Sequence, residues 1–157
     1  MKKPTIYIES TIPSYLTARD SRDLLKLSRQ IATRQWWDLI LPDYDPVISE
    51  YVTQEIRDGD PQAAKLREKA IQDFKVLKSD DQVERLAKVI LKRIDIPKKA
   101  ELDAYHLAIS VIHKIDYVLS WNFEHIVGPP VRKTFAEIGM ELQISMPILC
   151  TPFDFLK

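Results

Sequence analysis

Short apolar runs of strand length alternate along the chain with longer segments in which apolar residues recur every three or four positions. The short runs predict buried strands at residues 4–9, 47–48, 74–77, 116–121 and 146–150. The longer segments predict helices at residues 21–39, 49–57, 100–113 and 132–138, with two further helices beginning near residues 60 and 79. Strands that alternate with helices predict an α/β fold with a mainly parallel central sheet.

Local signals set the expected ends and faces of two of these helices. Asp20 or Ser21 is expected to cap the helix at 21–39. Its apolar stripe is predicted to face the core and consists of Leu24, Leu27, Ile31 and Trp36. The Pro129-Pro130 pair is expected to interrupt the chain before the helix at 132–138.

The composition narrows the functional classes. A chain of 157 residues fits one domain, 1–157, and its 23 basic and 23 acidic residues leave no global positive field for a nucleic acid. Three glycines argue against a glycine-rich phosphate loop, and the single Cys150 excludes an intramolecular disulfide. The chain has no signal-peptide pattern and no apolar run of membrane-spanning length, so a cytoplasmic location is expected.

Acidic or amide side chains follow or lie within three very apolar segments, as Glu9, Asp103 and Asn122. Carboxylates are costly to bury unless something compensates for their lost hydration. Hard divalent cations prefer oxygen ligands and are a common reason for gathering such groups. Because Glu9 and Asn122 each follow a predicted strand, both should project at the same edge of the sheet. The pattern therefore indicates metal-dependent chemistry.

Asp103 shares a helix face with Leu107 and Val111, which should turn its carboxylate toward the sheet. The alternative is a carboxylate that complements the helix dipole. Glu50 and Glu55 compete for a further acidic position, and their spacing alone does not choose between them.

These residues resemble the motifs of PIN domains of the VapC-like toxin type. The first motif ends in Glu9, the second is Ser49-x5-Glu55-x3-Gly59, the third is Asp103-Ala-Tyr-His-Leu-Ala108, and the fourth is Ser120-Trp121-Asn122. They occur in the family's order between residues 6 and 125, and the late segment Ile148-Leu-Cys-Thr-Pro also fits one subgroup with this Trp-Asn pair. Each motif is weak alone, whereas four in order are fairly specific.

The resemblance implies a single PIN-like domain with a three-layer α/β/α fold. It implies a metal-dependent endoribonuclease that hydrolyses RNA phosphodiester bonds, in which Glu9, Glu55 and Asp103 hold Mg²⁺ or Mn²⁺. Asn122 and Ser120 would orient a metal-bound water or the phosphate. Family members usually have Asp at the first position and often at the fourth. The neutral amide of Asn122 lowers the negative charge of the site, so one tightly bound ion is expected.

The resemblance also implies partners. It is typical of the toxin of a type II toxin-antitoxin pair, with a small antitoxin and a homodimeric assembly, and the helix around residues 22–39 is a possible interaction surface. Arg19 and Lys99, with their neighbours Arg22 and Lys98, are candidates to contact the phosphate backbone of RNA, with solvated surface cations as the alternative.

Other interpretations stay open at this level. A catalytically weak or inactive PIN-like module that binds RNA or protein is the main alternative, and a receiver-like phosphoacceptor domain is a more distant one. A histidine-rich zinc site is disfavoured by spacing, so His106 is predicted to lie on the helix surface or partly buried. A position of His125 near the mouth of the site stays open, and no role is predicted for it. Trp36 and Trp37 are predicted to pack a helix rather than stack on bases.

Overall fold

Residues 2–157, which the computed structural model describes, form a sheet of five parallel strands connected by helices. The strands are β1 (Thr5–Ile8), β2 (Asp45–Ser49), β3 (Lys75–Leu77), β4 (Tyr117–Leu119) and β5 (Ile148–Cys150). The α-helices are α1 (Thr11–Thr17), α2 (Leu24–Leu39), α3 (Glu50–Ile56), α4 (Pro61–Ile71), α5 (Asp81–Arg93), α6 (Glu101–Ile112) and α7 (Pro129–Leu142). Short 3₁₀ turns lie at Leu41–Asp43, Lys98–Ala100 and Pro152–Asp154, and one π-helical turn lies at Phe123–Val127.

The strand order is β3-β2-β1-β4-β5, and every pairing is parallel. Consecutive residues of the central strand β1, Ile6, Tyr7 and Ile8, are all completely buried. A strand that is buried at successive positions is covered on both faces, because its side chains alternate between them. The three-layer α/β/α architecture predicted from the sequence is therefore confirmed, with a sheet that is wholly parallel.

The chain order places a topological switch point between β1 and β4. After β1 the chain moves outward through β2 and β3, and it then returns to pair β4 on the other side of β1. Open α/β sheets bind ligands beyond the carboxyl ends of the strands where the order reverses in this way. Glu9 and Ser120 lie directly after β1 and β4, at that point.

Two helices differ from the sequence prediction. Helix α2 begins at Leu24, because the Asp23 side chain rather than that of Asp20 or Ser21 accepts from the Lys26 amide. The prolines at 129 and 130 begin α7 instead of interrupting the chain, since the first helical turn needs no proline N–H.

The predicted apolar stripe of α2 was also wrong in its direction. Leu24 is 83% exposed and Ile31 is 46% exposed, and Trp36 alone of the four stripe residues is fully buried. The face that α2 buries is Gln30, Ala32, Thr33 and Trp36. The predicted packing role of the tryptophans is confirmed, since Trp36 lies in the core and Trp37 packs against it. In residues 2–157, no helix combines the length and the apolar character needed to cross a bilayer.

Candidate metal centre at the carboxyl edge of the sheet

Glu9 directly follows β1 at the carboxyl edge of the sheet, beside the end of β4. Its backbone N–H donates to the Leu119 carbonyl at 3.1 Å, which extends the strand ladder by one residue and fixes the backbone. The side chain is 2% exposed, and Oε1 accepts from the Thr11 and Ser120 hydroxyls, each at 2.6 Å. Burial raises the pKa of Glu9, although the positive charge of His106 and these two hydrogen bonds oppose the rise. A buried carboxylate of this kind is stabilised by a nearby cation.

Glu55 approaches Glu9 from the last turn of α3. Ser49 caps this helix by accepting from the Tyr51 amide at 3.1 Å, so the helix leaves β2 at its carboxyl end and points Glu55 toward Glu9. Oε1 of Glu55 accepts from the Ser10 hydroxyl at 2.6 Å and from His106 Nε2 at 2.5 Å. Partial burial raises the pKa of Glu55. The hydrogen bond and charge of His106, together with the hydrogen bond from Ser10, outweigh this effect and lower the pKa overall.

A chain of buried hydrogen bonds holds the His106 ring. Its Nδ1 lies 2.6 Å from the Tyr7 hydroxyl, and that hydroxyl lies 2.6 Å from Ser49 Oγ. Burial, with the nearby charges of Glu9 and Glu55, raises the pKa of Tyr7 well above its usual value, so the phenol stays protonated. Nε2 of His106 can therefore donate to Glu55 in both protonation states of the ring, while Nδ1 accepts from Tyr7 in the neutral imidazole and donates to it in the protonated one. The position predicted for His106, on the surface or partly buried, was wrong, because the residue is completely buried.

Glu9, Glu55 and His106 together offer three ligand atoms that all lie within 4.8 Å of one another. The two carboxylates suit Mg²⁺ or Mn²⁺, whereas both ring nitrogens of His106 are hydrogen-bonded, to Glu55 and to Tyr7. The fit is supported by the buried Glu9 carboxylate, whose Oε1 is bound only by neutral hydroxyls. Glu50, the competitor of Glu55 in the sequence, lies on the exposed side of α3 and accepts from the Ser79 amide instead.

Asp103 and Asn122 adjoin this cluster through His125. Asp103, 8% exposed, lies one turn before His106 on α6, and its Oδ2 is 2.8 Å from His125 Nδ1. Asn122 Oδ1 accepts from the His125 amide at 2.9 Å and so caps the π-helical turn. The backbone N–H of Asn122 in turn donates to Ser120 Oγ at 2.9 Å. The same Ser120 hydroxyl donates to Glu9. Glu9, Asn122 and Asp103 therefore belong to one hydrogen-bonded network, with Asp103 outside the 4.8 Å cluster. Glu55 belongs to a separate set of hydrogen bonds with Ser10 and His106.

The predicted phosphate-contacting cations are on the surface. Arg19 is exposed in the loop between α1 and α2, where its carbonyl accepts from Gln30 Nε2 at 2.8 Å. Gln30 is 3% exposed and also accepts from the Ser21 amide, so it anchors this basic loop to α2. Lys99 is exposed in the 3₁₀ turn that precedes α6 and Asp103.

Sequence reasoning missed several residues of the network, namely Tyr7, Ser10, Thr11 and His106. One signal for His106 was present, because it follows Asp103 by three positions and so shares its helix face. For the hydroxyl groups no comparable signal exists, since Ser and Thr near a strand end are common and mostly structural.

Comparison with known proteins shows likeness in structure and none in sequence. No protein-family model matches the chain, and no curated protein sequence matches it. A chain of the FitAcB structure from Neisseria gonorrhoeae aligns with a TM-score of 0.59 at 16% identity, covering 94% of this chain and 98% of that one. A chain of the VapBC2 structure from Rickettsia felis, bound to a DNA fragment from its promoter, aligns with a TM-score of 0.57 at 8% identity over 94% and 98%.

VapC20 of Mycobacterium tuberculosis, described as a sarcin-ricin loop cleaving toxin, aligns with a TM-score of 0.54 at 19% identity, covering 75% of this chain and 92% of that one. At these identities the likeness concerns the fold. The chain has a VapC-like PIN-domain fold.

Proposed function

We propose that this protein is a metal-dependent ribonuclease that hydrolyses RNA phosphodiester bonds, and that it is the toxin of a type II toxin-antitoxin pair. One observation carries the proposal: Glu9, Glu55 and His106 converge within 4.8 Å at the carboxyl edge of the sheet. The fold supports it, because it is shared with VapC20, which is described as a toxin that cleaves the sarcin-ricin loop.

Glu9, Glu55 and Asp103 are the residues that would hold Mg²⁺ or Mn²⁺. Such an ion lowers the pKa of a bound water and offsets the charge that develops on the scissile phosphate. We assign His106 to positioning, because its Nε2 donates to Glu55 and its Nδ1 is bound by Tyr7. No side chain has to act as a nucleophile in hydrolysis of this kind.

Two residues of the fourth motif, Ser120 and Asn122, would orient other groups of the site. Ser120 orients the Glu9 carboxylate, since its hydroxyl donates to Oε1. Asn122 has its Oδ1 committed to the His125 amide, so we propose that its side-chain NH₂ orients a water or a phosphate oxygen. Arg19 and Lys99 would contact the RNA backbone on either side of the site.

The test is RNA cleavage by the purified protein with Mg²⁺, Mn²⁺ or EDTA, beside three variants. Asp103→Asn and Glu55→Gln keep the shape of each side chain and remove its charge, so both should abolish metal-dependent cleavage. Glu50→Gln is the matched control, because Glu50 lies on the same helix as Glu55 but is exposed and outside the cluster. It should cleave like the parent.

Cleavage that is equal in all four proteins would indicate a contaminating ribonuclease and would contradict the proposal. Absence of cleavage by the parent on a range of RNAs would favour the alternative, a catalytically weak or inactive PIN-like module that binds RNA or protein. One observation favours that alternative: Glu55 and Asp103 already accept hydrogen bonds from His106 and His125. Isothermal titration with Mn²⁺ separates the two functions, because the inactive module should bind the ion weakly.

We further propose an antitoxin partner and a homodimer. The support is that structures of the same fold include VapBC and FitAcB complexes and a toxin-antitoxin complex from Klebsiella pneumoniae. Helix α2 supports it as well, because it exposes several large apolar side chains, Leu24, Leu25, Ile31 and Leu39. Sedimentation of the protein alone tests the dimer, and co-purification with the product of an adjacent gene tests the antitoxin.

A further inference from the structure

An aromatic cluster lies directly beyond the carboxyl end of β4, beside the candidate metal centre. Its central member is Trp121, which is 3% exposed and donates from its indole nitrogen to the Thr33 hydroxyl at 2.8 Å. The rings of Tyr15 and Phe153 meet it edge-on, with centroids 6.0 and 4.8 Å away, and the Phe123 ring lies at 6.4 Å. The cluster is therefore fixed in place by packing and by a buried hydrogen bond.

Two members of this cluster face solvent. Phe123 is 40% exposed and Phe153 is 46% exposed, although both lie against the buried indole of Trp121. Partly exposed aromatic rings that pack against a buried one can form a stacking surface, because part of each ring is open to solvent and little side-chain entropy is lost on binding.

Arg29, which projects from α2, lies against the same rings. Its guanidinium carbon is 5.0 Å from the Phe123 centroid and 5.7 Å from the Trp121 centroid. Nη1 donates to the Tyr15 hydroxyl at 3.4 Å, and within residues 2–157 the guanidinium forms no ion pair with a carboxylate. A positive charge held by aromatic faces and lacking an acidic partner is complementary to an anionic ligand.

Hydrogen bonds tie this surface to the carboxylates. The Trp121 amide donates to Thr11 Oγ1 at 2.8 Å, and that hydroxyl donates to Glu9 Oε1 at 2.6 Å. Asn122 lies between Trp121 and Phe123 in the chain, so a ligand stacked on Phe123 would be next to the fourth residue of the proposed site.

We propose that Arg29, Phe123 and Phe153, supported by Trp121, bind an unpaired base of single-stranded RNA and its phosphate beside the scissile bond. This inference rests on the proposed ribonuclease function and narrows its substrate to single strands or loops. A base in a duplex has its faces covered by its neighbours, whereas an unpaired base can stack on an aromatic ring. Base readout is not required, because every base offers a π-face.

The experiment measures the affinity of fluorescent oligouridylate, oligoadenylate and a short RNA duplex by anisotropy, at fixed salt and with Mg²⁺. In this binding experiment the parent protein carries Asp103→Asn, so that it does not cleave the RNA, and every further variant is made in that background. Phe123→Leu, which keeps an apolar side chain but loses the ring, should weaken binding of both single strands by about five-fold to a hundred-fold. Phe123→Tyr should restore it, and the duplex should bind more weakly than the single strands and respond little to either change.

Met140→Ala is the matched control, because Met140 is an apolar residue 81% exposed on α7 and is not one of the residues of the cluster. It should bind RNA like the parent, and urea unfolding should show that all variants are folded. Equal affinity of the Phe123→Leu protein and its parent would overturn the inference while leaving metal-dependent cleavage, and hence the proposed function, intact. A parent that binds no RNA would overturn it too, and the cleavage assay would then show whether the ribonuclease function falls with it.

Discussion

The Tyr7 hydroxyl holds the His106 ring that donates to Glu55, and Tyr7→Phe removes that hydroxyl alone. The hydroxyl lies between Ser49 Oγ and His106 Nδ1, at 2.6 Å from each, and the residue is completely buried. Phenylalanine fills the same ring volume, so the substitution creates no cavity large enough to add a packing cost. The change therefore isolates the hydrogen bonds.

The magnitude follows from which groups lose their partners. Ser49 Oγ keeps the Tyr51 amide, whereas His106 Nδ1 has no other partner among the described residues. An unsatisfied buried polar group costs about 1–3 kcal/mol, so the free energy of unfolding should fall by about that amount. For a chain of 157 residues this lowers Tm by roughly 2–12 °C.

Urea unfolding in EDTA measures this loss, with an unchanged m-value as evidence that the native and unfolded states are otherwise the same. Tyr51→Phe is the control, because its hydroxyl bonds Ser79 Oγ at 2.5 Å in a half-buried position where water can replace it. We expect it to cost less than about 1 kcal/mol. A Tyr7→Phe protein as stable as the parent, or no less stable than the Tyr51→Phe protein, would refute the reasoning.

Three further predictions concern pH, packing and a thiol. Burial lowers the pKa of His106, but the hydrogen bond and charge of Glu55 raise it above 6.5 overall. The His106–Glu55 pair therefore stabilises the metal-free protein most between pH 4.5 and 6.5. This stability is lost as pH rises through the raised His106 pKa, and also as pH falls through the lowered Glu55 pKa; unfolding in EDTA across pH should show both losses, and Glu55→Gln should flatten the profile. A Cβ at Gly128 would lie 2.2 Å from the Phe123 carbonyl oxygen, so Gly128→Ala should lower the free energy of unfolding by about 1–3 kcal/mol, and an unchanged urea midpoint would contradict the close approach. Cys150 is 3% exposed and burial raises its pKa to about 12, so a thiol reagent should modify it only as the protein unfolds in urea, and rapid labelling of the native protein would be inconsistent with this burial.

The parts of the fold that were predictable are those encoded by neighbouring residues. The helices predicted at 49–57 and from near residue 60 both form, and their caps, Ser49 and Asp60, bind amides within the same turn. The placement of Glu9 followed from its position after a strand, because parallel strands end at a common edge. The choice between Glu50 and Glu55 could not be made from spacing, and the structure brings only Glu55 to the cluster.

The buried face of α2 was mispredicted for an identifiable reason. Hydrophobic spacing assumes that polar residues face water, but this helix buries Gln30 and Thr33. Gln30 binds the backbone of the loop before the helix, and Thr33 accepts from the Trp121 indole across 88 residues of sequence. Such pairings satisfy the buried polar groups and depend on the tertiary structure, so no local pattern reveals them. The Tyr7–His106 contact, which spans 99 residues, was hidden for the same reason.

Thr11 joins the carboxylate cluster to the aromatic cluster, and its hydroxyl gives a last test of the network. It donates to Glu9 Oε1 and accepts from the Trp121 amide, so Thr11→Val keeps the branched shape while leaving a backbone N–H without its partner. We expect a loss of about 1–3 kcal/mol in unfolding free energy and weaker metal-dependent cleavage, and Thr11→Ser should retain most of both.

Ser120 donates to the same Glu9 oxygen, so a double-mutant cycle of Thr11→Val with Ser120→Ala measures whether the two hydroxyls act together. Because they share one acceptor, the two losses should differ from additivity by more than about 0.5 kcal/mol. Strict additivity would mean that the two hydroxyls act on Glu9 independently, and it would contradict the reasoning from their shared acceptor.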